Sequence, residues 1–227
     1  MTMFGLGQCK VRSVIFDLDG TLIDSAPSIL RGLEMVIKKS GFIPAVPLDS
    51  TLIGPPLRET FVKLVGKRKD INLDSLISDF KSYYDEDGFK NSIPYPGIRE
   101  LLRHLKKISL PTYLATNKRL IPTLKIMDYL GWTSCFNQIY SIDKFADAPF
   151  INKTLMMQTL LEVESIDRTH TIYIGDRIED LEASKANGID AILVGWGYDE
   201  FQNIPIMDGV KYARSPEQLL KMIVKQQ

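Results

Sequence analysis

Three runs of apolar and β-branched residues each end at once in polar residues able to do chemistry. Residues 11–16 stop at Asp17, residues 111–115 at Thr116 and Asn117, and residues 171–174 at Gly175 and Asp176. Each run has the length and composition of a buried strand. Two further strands are expected at residues 137–141 and 191–194, the last ending at Gly195-Trp196-Gly197. Helical periodicity fills the gaps, over 97–107, 121–130, 153–164 and 180–187, with Asn187-Gly188 as a stop. Strands alternating with helices predict an α/β fold around a parallel sheet with right-handed crossovers. Such sheets place ligands beyond the carboxyl ends of their strands, which is where the polar residues fall.

One stretch breaks the alternation. Residues 24–92 carry helical patterns alone, over 27–40, 57–65 and 73–87, with Pro27 suited to a first turn and Gly54-Pro55-Pro56 as punctuation. This predicts two domains: a core from residues 1–23 and 94–227, and an all-helical cap, 24–93, inserted after the first strand. The connections near Asp24 and near residues 93–97 are the expected hinges.

Composition narrows the function classes. The chain has 227 residues, with 28 acidic and 28 basic side chains. A net charge near zero offers no broad field to recruit a nucleic acid polymer. Cys9 and Cys135 are the only cysteines and lie far apart, which is neither a zinc pattern nor a disulfide framework. No apolar run approaches the ~20 residues of a membrane span, and residues 1–10 do not resemble a signal peptide. A cytoplasmic location is expected.

Four constellations carry the chemistry. In Asp17-Leu18-Asp19-Gly20-Thr21, alternate carboxylates meet at a strand end, and Gly20 permits an abrupt turn. Two such acids can divide the work of nucleophile and acid/base, although an Asp-rich turn looks the same in isolation. Thr116 and Asn117 can present a hydroxyl and backbone N–H groups to a phosphate, or simply cap a helix. Lys153 can neutralise a phosphate and nearby carboxylates, or be a solvated charge. In Gly175-Asp176-Arg177-Ile178-Glu179-Asp180, Asp176 and Asp180 suit a magnesium site or an acidic helix start. Asp180 has three open roles: ligand, partner through a water, or holder of Lys153.

Together and in this order, the motifs resemble those of the haloacid dehalogenase-like hydrolase superfamily over nearly the whole chain. Local wording is similar to its phosphoglycolate phosphatase group: Gly20-Thr21-Leu22-Ile23-Asp24-Ser25, Gly54-Pro55-Pro56-Leu57-Arg58-Glu59, Ala115-Thr116-Asn117-Lys118 and Val194-Gly195-Trp196-Gly197-Tyr198. The resemblance implies a Rossmann-like core with a helical cap and a Mg²⁺-dependent phosphatase. Asp17 would be the nucleophile and Asp19 the acid/base. Thr116, Asn117 and Lys153 would bind phosphate. Asp17, the Asp19 backbone carbonyl and Asp176 would hold the metal, with Asp180 close by. An acid at Asp19 favours a phosphate ester, whose leaving alkoxide needs a proton, over a halide, which does not. The group's usual Lys-Pro is absent here, leaving Lys144 as the alternative to Lys153. Arg58 is a candidate cap contact to substrate.

The expected partner is a small phosphorylated metabolite, phosphoglycolate-like, a nucleotide or a sugar phosphate, and the expected state is a monomer or homodimer. A phosphomutase or inorganic pyrophosphatase would use the same motifs, and a non-catalytic binding module could keep the fold.

Overall fold

The computed structural model describes residues 10–145, 147–198 and 210–225. Its strands are β1 (Ser13–Phe16), β2 (Ile23–Asp24), β3 (Ile93–Pro94), β4 (Thr112–Thr116), β5 (Gln138–Ser141), β6 (Thr171–Gly175), β7 (Asp190–Val194) and β8 (Lys211–Ala213). Its helices are α1 (Ala26–Ser40), α2 (Leu57–Val65), α3 (Leu73–Glu86), α4 (Ile98–Lys107), α5 (Leu120–Tyr129), α6 (Lys153–Val163), α7 (Ile178–Ala186) and α8 (Pro216–Val224).

Six strands pair in the order β5-β4-β1-β6-β7-β8, every pair parallel. The chain leaves β1 toward β4 and β5, then returns to β6 on the other side. That reversal opens a crevice beside the carboxyl end of β1, where α/β sheets bind ligands. The register is close: Phe16 lies level with Leu114 on one side and Ile174 on the other. The residues that follow are thereby delivered to one edge.

Strand residues alternate between two apolar layers. Val14, Phe16, Leu114, Ile172 and Ile174 pack with α4, α5 and α8. Ile15, Tyr113, Ala115 and Tyr173 pack with Met156, Met157, Leu160 and Leu161 of α6 and Ala183 of α7. Helix ends follow local chemistry. Asn152 Oδ1 accepts from Leu155 N at 2.9 Å at the start of α6, and Gly41, at φ +68°, closes α1.

Three differences from the sequence expectations stand out. The stretch expected to lack strands begins and ends in a two-residue antiparallel ribbon, Ile23 to Pro94 and Asp24 to Ile93, because the two chain crossings lie side by side. Helix α7 starts at Ile178, not at 180, since Asp180 sits inside its first turn and caps it. The edge strand β8 and helix α8 had no expected counterpart. No helix among the described residues is long and apolar enough to cross a membrane. Cys135 is half-buried and free, and Cys9 lies outside the described residues.

Candidate active site

Asp17 leaves β1 with its N–H donating to Ile174 O at 2.8 Å, so the backbone itself aims it at the edge of the crevice. Asp176 follows β6, and Asp180 lies one helical turn on in α7. All three are buried, and one oxygen of each lies within 4.8 Å of the others. Lys153, first residue of α6, enters the group with Nζ 2.9 Å from Asp17 Oδ1 and 2.6 Å from Asp180 Oδ1.

Asp180 is the most fully used of the three. Its Oδ2 accepts from the N–H groups of Asp176 (3.1 Å) and Arg177 (3.0 Å). Its Oδ1 takes Lys153 and the hydroxyl of Tyr173 at 3.1 Å, which can alternatively donate to Ala115 O. Of its three open roles, capping α7 and holding Lys153 is the one the hydrogen bonds occupy. Asp176 Oδ2 accepts from Tyr198 N at 2.8 Å. Its approach needs two glycines. A Cβ on Gly20, at φ +84°, would lie 2.2 Å from Asp176 Oδ2, and one on Gly197 would lie 2.2 Å from Asp176 Cβ.

The electrostatics follow from crowding in a dry place. Burial pushes the Asp17 carboxyl up to about 7; the Lys153 ammonium opposes this and Asp180 adds to it. Asp176 is held well above its ordinary range by burial, then by Asp180 and Asp17. Burial acts to lower Lys153, but the neighbouring Asp17 and Asp180 outweigh it and hold the ammonium well above its usual value. Among the described residues, the Lys153 ammonium and the more distant Arg177 do not offset the crowding of three buried acids, and two of them hold their protons more tightly than usual. Buried carboxylate oxygens in that state suit a hard divalent cation, and Asp17 and Asp176 are the acids with oxygen atoms to offer it.

Asp19 points elsewhere. Its Oδ1 accepts from Ser25 Oγ at 2.5 Å, and Lys118 Nζ reaches both its oxygens at 2.9 and 3.1 Å. Thr116 closes β4, buried, its hydroxyl accepting from Lys118 N at 3.2 Å. Asn117 Nδ2 donates to Gly54 O at 3.0 Å, and Arg177 Nη1 to Ile53 O at 2.8 Å. The loop between α1 and α2 is thus tied to loops after β4 and β6. Tyr198 reaches the start of α1: its hydroxyl accepts from Ser25 N (2.6 Å) and Ala26 N (2.9 Å) and lies 3.0 Å from Asp24 Oδ1.

Asp17, Asp19, Thr116, Asn117, Lys153, Asp176 and Asp180 therefore gather at one sheet edge. Two candidates do not. Lys144 Nζ donates to Ile139 O at 2.8 Å and lies over the Tyr140 ring. Arg58 pairs with Asp74 at 2.6 Å on the surface, its side chain 63% exposed. Sequence reasoning missed Lys118, Tyr173 and Ser25. Lys118 had a signal, being two residues past Thr116 in the same loop. Tyr173 had one too: a hydroxyl in an otherwise apolar buried strand needs a partner.

Fold and site together define an α/β enzyme with an acid-rich centre at the carboxyl edge of its sheet. Comparison with known proteins names the lineage. The pattern of the haloacid dehalogenase-like hydrolases matches residues 14–194, and the chain belongs to that family. It is 32% identical over 189 residues to a phosphoglycolate phosphatase of Aquifex aeolicus, covering 83% of this chain and 86% of the relative. It is 28% identical over 187 residues to a 5'-nucleotidase of Pseudomonas aeruginosa, covering 82% and 83%. Among solved structures, a haloacid dehalogenase-like hydrolase from Streptococcus pneumoniae superposes with a TM-score of 0.80 at 25% identity, over 93% of this chain and 98% of that one.

Proposed function

We propose that the chain is a Mg²⁺-dependent phosphatase that hydrolyses a small phosphate monoester through Asp17. The observation that carries the reading is the division of the two β1-end carboxylates. Asp17 meets Lys153 at 2.9 Å beside Asp176, while Asp19 is held apart by Ser25 and Lys118. This division supports a reading in which one acid attacks and the other manages protons.

In this mechanism an oxygen of Asp17 bonds to phosphorus as the ester P–O bond breaks. The departing alkoxide takes the proton of Asp19. Asp19 then removes a proton from water, which attacks phosphorus and releases Asp17 as free carboxylate with inorganic phosphate. Lys153 offsets the charge of the incoming dianion, Thr116 donates to a phosphate oxygen, and Asp180 holds Lys153 in place. Asn117 contributes through its backbone and by holding the Gly54 loop. Mg²⁺, bound by Asp17, Asp176 and the Asp19 carbonyl, would supply the charge that lets phosphate approach a carboxylate. Residues 24–93 act as a cap that closes over the site and excludes bulk water.

Two relatives named for the hydrolysis of phosphate esters support this reading. The test is phosphate release from a panel of small esters, with Mg²⁺ or chelator. Asp17→Asn should lower turnover by about 10³-fold or more, and chelation should abolish it. Release that persists in Asp17→Asn would overturn the assignment of the nucleophile.

A further inference from the structure

Between Asp19 and helices α1–α3 lies a cavity of about 60 Å³. Ile29, Leu52, Ile53, Leu57 and Phe80 give it an apolar wall. Phe80 stacks on Tyr84 with ring centres 5.4 Å apart and meets Phe61 edge-on, which fixes the aromatic side of the wall.

Two lining atoms are polar, buried, and without a hydrogen-bond partner among the described residues: Tyr84 Oη and Asn117 Oδ1. Lys118 lies over the Tyr84 ring, 4.8 Å from its centre, and its ammonium bears on the phenol oxygen, which leaves the phenol's own O–H without an acceptor among the described residues. Buried polar atoms in folded proteins nearly always find partners, so a guest is the natural source. The phenol can donate, and the amide oxygen can only accept. A hydroxyl on the guest answers both demands.

The charges of the wall point the same way. Its two cations among the described residues are Lys118 and Arg119. Lys118 spends its charge on both oxygens of Asp19. Arg119 binds both oxygens of Asp85, at 2.9 and 2.5 Å. A guest carboxylate could gain a cation only by stripping one from Asp19 or Asp85, stranding a largely buried acid. An uncharged guest disturbs neither pair. Size agrees. The cavity has room for roughly five waters, which a two- or three-carbon alcohol fills.

We infer that the leaving group is a compact, uncharged alcohol of two or three carbons with a second hydroxyl, recognised by Tyr84 and Asn117. Alcohols that carry a carboxylate are selected against. This rests on the phosphatase reading only for where the phosphate sits, over Asp17 with the ester oxygen toward Asp19.

Three esters with nearly the same frame separate the terms: 2-hydroxyethyl phosphate, propyl phosphate with a methyl in place of the hydroxyl, and phosphoglycolate with a carboxylate. Their binding to Asp17→Asn is measured by calorimetry in Mg²⁺, and their hydrolysis by the unaltered enzyme. The hydroxyethyl ester is expected to bind about tenfold tighter than phosphoglycolate. Tyr84→Phe, which removes one unpartnered hydroxyl and leaves the ring stack, is expected to erase about threefold or more of the hydroxyethyl ester's advantage over propyl phosphate. Phosphoglycolate binding as tightly as the hydroxyethyl ester would overturn the inference. So would a Tyr84→Phe variant that weakens the propyl and hydroxyethyl esters equally. If the binding order holds but no ester is hydrolysed, the cavity assignment stands and the phosphatase reading falls. If phosphoglycolate is hydrolysed fastest, the reverse is true.

Discussion

Within the site, two acids separated by one residue have opposite surroundings. Asp17 faces Lys153 and two further carboxylates; Asp19 faces Ser25 and Lys118. If Asp19 is the proton donor, Asp19→Asn should hurt esters of poor leaving groups most. Turnover of an alkyl phosphate should fall by about 10²–10⁴-fold, and that of p-nitrophenyl phosphate, whose leaving group needs no proton, far less. Equal losses on both would remove Asp19 from that role. Lys153 forms ion pairs with both Asp17 and Asp180. Lys153→Met leaves both acids buried and unpaired, which should cost roughly 3–5 kcal/mol of stability in chelator, read by urea unfolding. Because a divalent cation can replace part of the lost charge, adding Mg²⁺ should recover more stability in the variant than in the parent.

At the scale of elements, the loops after β1, β6 and β7 pack as one unit. Gly197 comes within a side chain's width of Asp176 and of Gly20 O. Gly197→Ala must displace Asp176 or the loop bearing Gly20. The expected result is a lower metal-free melting point and, beyond it, cation binding weaker by about tenfold, followed as the Mg²⁺ dependence of the melting temperature. Most of these elements were legible in the sequence. The strands feeding Asp17, Thr116 and Asp176 were, because a buried parallel strand needs an unbroken apolar run and its end is where polarity resumes. Helix α7 was misplaced by two residues, since Asp180 reads equally as a cap or as a first-turn acid. The ribbon β2–β3 was not legible. Two-residue strands have no periodicity, and Pro94 argues against a strand. Lys118 and Tyr84 were invisible as a pair, because their meeting depends on where α3 packs.

For the whole molecule, the site's charge is coupled to stability. The Asp17 carboxyl is ordinary in the unfolded chain, 3.8, and raised to about 7 in the folded one. Between those values the folded state keeps a proton that the unfolded state has released. Metal-free protein should therefore be most stable near the lower end and lose stability as pH rises through the window, on the order of 4 kcal/mol in all. A bound divalent cation favours the ionised form and reverses the trend, so Mg²⁺ should raise the melting temperature more at pH 7 than at pH 5. Calorimetric scans at the two values with chelator or Mg²⁺ decide it. An apo protein whose stability climbs steadily from pH 4 to pH 7 would contradict this charge arrangement. The arrangement of the whole also explains why the site was partly readable in advance. Acids at strand ends announce themselves in a linear sequence, while the cavity that faces them is assembled from α1, α2, α3 and the loop after β4.

Tyr198 holds Asp176 through its N–H and the backbone at Ser25 and Ala26 through its hydroxyl. One residue thus belongs to two conversations, the loading of the acid pair and the posture of the chain where it turns into α1. A shift of Asp176 toward a cation would pull on that turn through Tyr198, and a rotation there would pull on Asp176. By thermodynamic reciprocity the two influences are equal in size. An empty centre and a loaded one should then differ in how readily the crevice admits its guest, and a filled crevice and an empty one, by the same factor, in how tightly the centre keeps its cation.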